Sequence, residues 1–302
     1  MGSDVALSTM WAIGRFRRLA DFFDAGSRLG FTWFELNHAI DSTMLAGLSL
    51  DGTIASIHEP CPADVSMGVL KKRDWLVSAL DEEKRRLGVA AVMRSIDLAH
   101  ELGARVVVIH PGRVDMDEAL EATLQRLYRE GKAELPEYAQ AKERMVTARA
   151  AQAEANMQSV RRSLVEIAGY AAQKGVRLAL ENRYHYCEIP LPDELEDLLG
   201  MGLDGVGHWH DVGHARVLEN LGLGAHEEWL RRFGDRIFGV HLHDVVGLTD
   251  HLAAGLGQMD WEMVARYLPA EALRTCEFQY SNSPEQVAAG LRWLIEKGCV
   301  TA

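Results

Sequence analysis

Two kinds of hydrophobic segment alternate along the chain. Short apolar runs rich in Val, Ile, Leu and Phe predict strands at 5–9, 31–36, 53–57, 105–109, 176–180, from 206, at 236–240 and at 273–276. Between them, apolar residues recur at helical spacing. Phe16, Leu19, Phe22 and Phe23 share one face of a helix over 16–29 that Gly30 stops. Further helices are expected at 81–102, acidic at its start and closed by Gly103, at 141–174, ending at Gly175, and at 193–199, 227–233 and 260–267. Ser283-Pro284, an N-cap and first-turn pair, opens the last helix, which runs to about 297. Residues 44–50 are a weak segment, and 63–80 read as an irregular loop holding a short helix. Residues 114–140 are charged and helix-prone, with Gly131 and Pro136 as breaks.

Eight strands alternating with helices put the chain in the α/β class. The expected architecture is one (β/α)8 TIM barrel over 1–302, with a helical insertion at about 114–140 on the βα loop after the fourth strand. The unbroken Val106-Val107-Val108-Ile109 run suits a parallel strand covered on both faces. A doubly wound sheet is disfavoured, because no G-x-G-x-x-G follows the first strand and the chain has no P-loop motif.

In such a barrel the C-terminal strand ends converge on one mouth. Here those ends carry His58, His110, Glu181, Asp211, His241 and Glu277. Asp211 and His214 also stand three apart, with Gly213 between them to let the backbone turn into a loop. Three carboxylates at one mouth repel unless protonated or held by a cation, and a divalent metal is the simplest solution. Glu181, Asp211 and Glu277 with His241 form a three-oxygen, one-nitrogen set that suits Mn, Co, Mg or catalytic Zn. His58 and His110 would hold a second ion or the substrate. His100, His226, Cys187 and Cys276 read as helix-surface, loop or packing residues.

Composition narrows the function classes. A net charge of -12 disfavours nucleic acid as the main partner. No apolar run approaches the roughly 20 residues of a membrane span, and no signal peptide is evident. The four cysteines lack any C-x-x-C spacing, which argues against a thiolate zinc site or a disulfide framework and suits the cytoplasm.

The motifs Ser56-Ile-His-Glu-Pro60, Val108-Ile-His-Pro-Gly112, Leu180-Glu-Asn-Arg183, His210-Asp-Val-Gly-His214, His241-Leu-His-Asp244, Asp250-His-Leu-Ala-Ala-Gly-Leu-Gly257 and Cys276-Glu277 follow one another in that order. In this the chain resembles the xylose-isomerase-like barrels, the superfamily that joins sugar isomerases and epimerases to endonuclease IV-type abasic-site nucleases. The resemblance spans nearly the whole chain. It implies that Glu181, Asp211, His241 and Glu277 bind the metal shared across the epimerase branch, with Glu181 and Glu277 as the catalytic proton shuttle. It implies a further zinc at His58 and His110 in the nuclease branch, and a substrate or third-zinc role for His214. The third zinc also needs an Asp-x-His, and here Thr249 stands where that Asp belongs, with Asp250 displaced by one. The epimerases carry Arg where His251 falls.

The expected function is therefore a metal-dependent isomerase or epimerase of a small keto-sugar or polyol, working through a metal-stabilised enediolate. His214, Arg183 and His251 would bind hydroxyls or charge, and Trp33, Glu35 and His185 would shape the pocket. The alternatives are an inosose-type dehydratase, an abasic-site endonuclease and a non-catalytic sugar-binding barrel. Gly255-Leu-Gly257 is a faint hint of a phosphate cradle. Barrels of this kind often pair, so a homo-oligomer is among the expected states.

Overall fold

Each expected strand forms in the computed structural model, which describes residues 3–301; positions 1, 2 and 302 of the expected domain lie outside the described residues. Strands β1 (Ser3–Ser8), β2 (Phe31–Leu36), β3 (Ile54–His58), β4 (Val106–Ile109), β5 (Arg177–Glu181), β6 (Val206–Asp211) and β7 (Ile237–Leu242) are followed by a hairpin, β8 (Asp244–Val246) and β9 (Thr249–Leu252), and then by β10 (Leu273–Cys276). Eight of them pair in parallel, and β10 closes on β1, so the (β/α)8 barrel is complete.

The helices around it are α1 (Leu19–Arg28), α2 (Ser42–Leu45), α3 (Met67–Lys71), α4 (Glu82–Leu102), α5 (Glu118–Arg129), α6 (Pro136–Lys174), α7 (Pro192–Gly200), α8 (Val212–Asn220), α9 (His226–Phe233), α10 (Trp261–Tyr267) and α11 (Pro284–Glu296). Asp81 and Ser283 cap α4 and α11, accepting from the backbone N–H groups of Lys84 and Gln286. Gly103 and Gly175 close α4 and α6 in the left-handed conformation, at φ 67° and 69°. Pro136 is not a break. It is the first residue of α6, where its missing N–H costs nothing, so the inserted segment is α5 plus the opening turns of α6. None of the described helices is long and apolar enough to cross a membrane, and the four cysteines are free and buried.

A strand turns alternate residues to opposite faces. One face of each barrel strand packs outward on the helices. The other fills the barrel in layers: Val106, Val108, Ala179 and Trp209 form an interior cluster, with Phe238 and Leu273 against it. Gly239 is required there, because a Cβ would lie 2.1 Å from the Trp209 ring. Below this layer Arg105 lies over Trp33 at 5.4 Å and Arg177 over Phe238 at 4.7 Å, sealing the floor.

On its outward face β6 carries His208 and His210, which join His226 of α9 in a buried chain. His208 Nδ1 donates to the Leu180 carbonyl (2.9 Å), which can only accept. That fixes the direction: His210 Nδ1 donates to His208 Nε2 (3.3 Å), and His226 Nε2 donates to His210 Nε2 (2.9 Å). His226 is thus a buried structural residue rather than a surface one. Burial pushes His208 and His226 down from 6.5 to about 4. Below pH 6.5 the unfolded chain takes up protons that the folded chain refuses, so this contribution is intact above pH 6.5 and is lost as pH falls through about 4. The pair should therefore take roughly 2 kcal/mol of stability per imidazole away between pH 7 and pH 5, so His226→Gln should lose less stability over that interval than wild type; an unchanged pH dependence of unfolding in that variant would contradict it.

Candidate active site

Alternation along the strands decides what reaches the mouth. Residues one layer above the interior cluster are Glu35, His58, His110, Glu181, Asp211, His241 and Glu277, and all but His110 are fully or almost fully buried. The ligand atoms of Glu181, Asp211, His241 and Glu277 lie within 4.8 Å of one another. His241 Nδ1 is 2.7 Å from Glu181 Oε1, 3.3 Å from Glu277 Oε2 and 3.5 Å from Asp211 Oδ2. Three buried carboxylates thus face one imidazole nitrogen, an excess of negative charge that fits a divalent cation.

Glu35 is not a pocket wall. It stands behind His241, where its two oxygens accept from Nε2 at 3.1 and 3.2 Å, while Ser56 Oγ donates to its Oε2 at 2.8 Å. The pair fixes the tautomer that leaves Nδ1 toward the carboxylates, the arrangement common behind metal-binding histidines.

Around this centre the electrostatics are polarised. Burial opposes ionisation of Glu181, but Arg183, His58 and His110 outweigh it and hold its carboxyl well below the usual range. Burial likewise opposes the charge on Asp211, and His214, His243 and His241 overcome it. His241 is raised well above 6.5, because Glu277, Glu35, Asp211 and Glu181 together override burial.

Two further clusters flank the centre. On one side His58, His110 and Glu181 converge, with His110 Nε2 2.8 Å from Glu181 Oε2 and 3.1 Å from His58 Nε2. On the other, Asp211 meets His214, His243 and His251. Asp211 caps α8 directly, its Oδ1 accepting from His214 N at 2.7 Å. The loop expected after Asp211 is this helix. Gly213 serves a different need from turning: a Cβ would lie 2.0 Å from His243 Cε1. His243 Nδ1 accepts from His251 N (2.9 Å), so its Nε2 donates to Asp211 (3.0 Å). His214 Nδ1 donates to the Asn182 carbonyl (3.0 Å), leaving Nε2 a bare acceptor toward Asp250, 4.0 Å away. Asn182 also ties β5 to β6 by bonds to the backbone N–H and C=O of Asp211.

The displaced Asp250 still reaches this cluster. Neighbours in a strand point to opposite faces, but His251 has φ +57°, and its ring turns back to pair with Asp250 (3.0 Å) while Nε2 lies 3.3 Å from Glu277. His243, which sequence reasoning assigned no role, stacks on His251 at 4.2 Å; its two-residue spacing from His241 was the signal.

Two other expected pocket residues lie elsewhere. Trp33 is in the barrel floor under Arg105, at the opposite end from the mouth. His185 is on the rim, half exposed, with Nδ1 against Glu121 of α5 at 2.9 Å. Gly255 and Gly257 form no cradle: Gly255 N donates to Asp244, and Gly257 packs against Asp244 and the Val245 carbonyl. A cavity of about 280 Å3 opens beside the His58–His110 side, lined by His38, Arg73, His110, Arg113, Arg183 and Glu188 among others.

A family model described as "Xylose isomerase-like TIM barrel" matches residues 23–297. An uncharacterized protein of Sinorhizobium fredii, y4fM, is 25% identical over 222 residues, 72% of this chain; the match spans only 57% of that relative's length. Among solved structures, a D-tagatose 3-epimerase-like protein superposes with TM-score 0.65 at 18% identity, over 97% of this chain and 96% of its own. A 3-keto-D-glucoside 4-epimerase from E. coli gives 0.66 at 16% identity, over 97% and 99%. An IOLI protein with a bound zinc atom gives 0.66 at 15%, over 97% of each chain. At these identities the likeness is one of fold.

Proposed function

The chain belongs to the xylose isomerase-like TIM-barrel family, and from that premise and the site geometry we propose that it is a divalent-metal-dependent isomerase or epimerase acting on a small keto-sugar or polyol. The observation that carries this reading is the convergence of Glu181, Asp211, His241 and Glu277 on one buried point above a sealed floor. These four residues would hold the ion. When bound, it supplies Lewis-acid stabilisation to the enediolate left by proton removal beside a carbonyl.

The chain's own residues do the rest. Glu181, at the end of β5, and Glu277, just past β10, approach from different strands, so one carboxylate removes the proton and the other returns it. Positioned acid–base groups of this kind contribute about 10²–10⁴-fold. His214 presents a bare Nε2, and His251 and Arg183 present donors for substrate oxygens. The roles of Trp33 and His185 in substrate binding are not carried forward, because neither reaches the cluster.

The test is elemental analysis of protein purified without chelator or nickel affinity, followed by a ketose screen. Close to one Mn, Co, Mg or Zn per chain is expected, with interconversion of two ketoses at unchanged mass. Chelation should bring turnover to background and the same ion should restore it. Absence of any metal, with none taken up on titration, would remove the basis of the reading. A second reading, an abasic-site nuclease, draws support from the two flanking histidine clusters and is opposed by the net charge of -12. Cleavage of an abasic duplex by protein holding two or three zinc ions would favour it.

A further inference from the structure

The flanking cluster of His58, His110 and Glu181 has the residues of a second ion site, but the His110 lone pair it would need is already engaged by Arg183. His58 Nδ1 faces the Glu59 carbonyl (3.3 Å), which only accepts, and its Nε2 points into the cluster, 3.1 Å from His110 Nε2. Arg183 Nη1 donates to His110 Nε2 at 2.7 Å and to Glu181 Oε2. An imidazole nitrogen has a single in-plane lone pair, and arginine has no acceptor. His110 therefore either accepts from Arg183 or ligates an ion, and cannot do both. The guanidinium is braced in that position from behind, where Nε donates to Glu188 Oε1 at 3.3 Å, and its side chain is only 14% exposed. It also brings a permanent positive charge to the place where a second divalent ion would enter, and like charges at such range repel strongly in a buried site.

We propose that Arg183 takes the place of a second metal ion, so that the mouth holds one ion at Glu181, Asp211, His241 and Glu277 and one fixed guanidinium at His58, His110 and Glu181. This rests on the metal-dependent reading above. It assigns Arg183 as the residue that sets metal stoichiometry and thereby separates this chain's chemistry from that of a multinuclear site. Because Arg183 also lines the 280 Å3 cavity, its remaining N–H groups stay available to a substrate oxygen.

The experiment is zinc titration with equilibrium dialysis on metal-stripped full-length protein, comparing wild type, R183M, R183K and R183M/H110A. Wild type should bind one ion per chain, R183M two, and R183M/H110A one again; R183K, which keeps the cation, should stay at or near one. Two tightly bound ions in the wild type, or one in both wild type and R183M, would overturn the inference while leaving metal dependence in place. No ion in any of the four would instead overturn the metal-dependent reading on which the inference stands. Should R183M fail to fold, the wild-type and R183K stoichiometries still decide: two ions in either one sinks the proposal.

Discussion

Replacing Glu277 by Gln should, on the proposed reading, lower turnover by about 10²–10⁴-fold, the span that a positioned acid–base group contributes. The substitution keeps the volume and removes the charge. Glu277 Oε2 lies 3.3 Å from both His241 Nδ1 and His251 Nε2, and its residue is 3% exposed. Burial alone would favour the protonated acid. The surrounding His241, His251 and His58 override it and keep the carboxylate ionised far below the usual range. An amide there offers one weak acceptor to the ion and no base to the substrate, so the variant should lose affinity for the ion and turnover together. Steady-state kinetics at saturating metal would separate the two losses. Activity within a few-fold of wild type at saturation would take the proton-transfer role away from Glu277.

The other large effect concerns stability. Asp244 is 1% exposed and accepts four hydrogen bonds, from the backbone N–H groups of Val245, Gly255 and Met259 and from Trp261 Nε1, at 2.8–3.2 Å. It is the hub on which the segment between the hairpin and α10 is folded. Asp244→Ala leaves those donors buried and unpaired at about 1–3 kcal/mol each before relaxation, so a net loss of about 4 kcal/mol is expected. For a chain of this size that is a fall in Tm of about 10 °C. Asp244→Asn keeps one acceptor oxygen and should fall between the two. A change of less than about 2 °C in Asp244→Ala would mean that the loop does not depend on this carboxylate. His251 lies just upstream of that loop, so its pairing with Glu277 should loosen as well.

What the sequence reveals here follows from how far each signal reaches. The strands are legible because most are short apolar runs that change abruptly to a polar residue, as at Ile109-His110 and Leu180-Glu181. Parity along those strands also tells which polar residues share a face, and so Glu35, His58, Glu181, Asp211 and His241 all arrive in one place. Depth is not encoded in parity. Trp33 and Glu35 share a face, yet one is in the floor and the other behind His241. The helix after Asp211 is masked because Gly213 reads as a turn, and only the approach of the His243 ring explains a glycine in a helical turn there. His226 looks like a surface helix start until its partner His210, on a different element, is known. The Asp250–His251 spacing misleads for a related reason: the positive φ of His251 that restores the geometry leaves no mark in residue type.

The closed floor has a kinetic consequence. With Trp209 filling the barrel and the Trp33–Arg105 and Phe238–Arg177 pairs beneath it, the site is a vessel with one opening. Everything that enters must pass the rim, and whatever is deepest arrives first and departs last. The proposed ion position at His241, directly over Trp209 at 5.1 Å between rings, would lie below a sugar bound at the mouth. On the proposed reading, loading would be sequential: the ion would settle before the sugar, and a bound sugar would stand between the ion and solvent like a stopper.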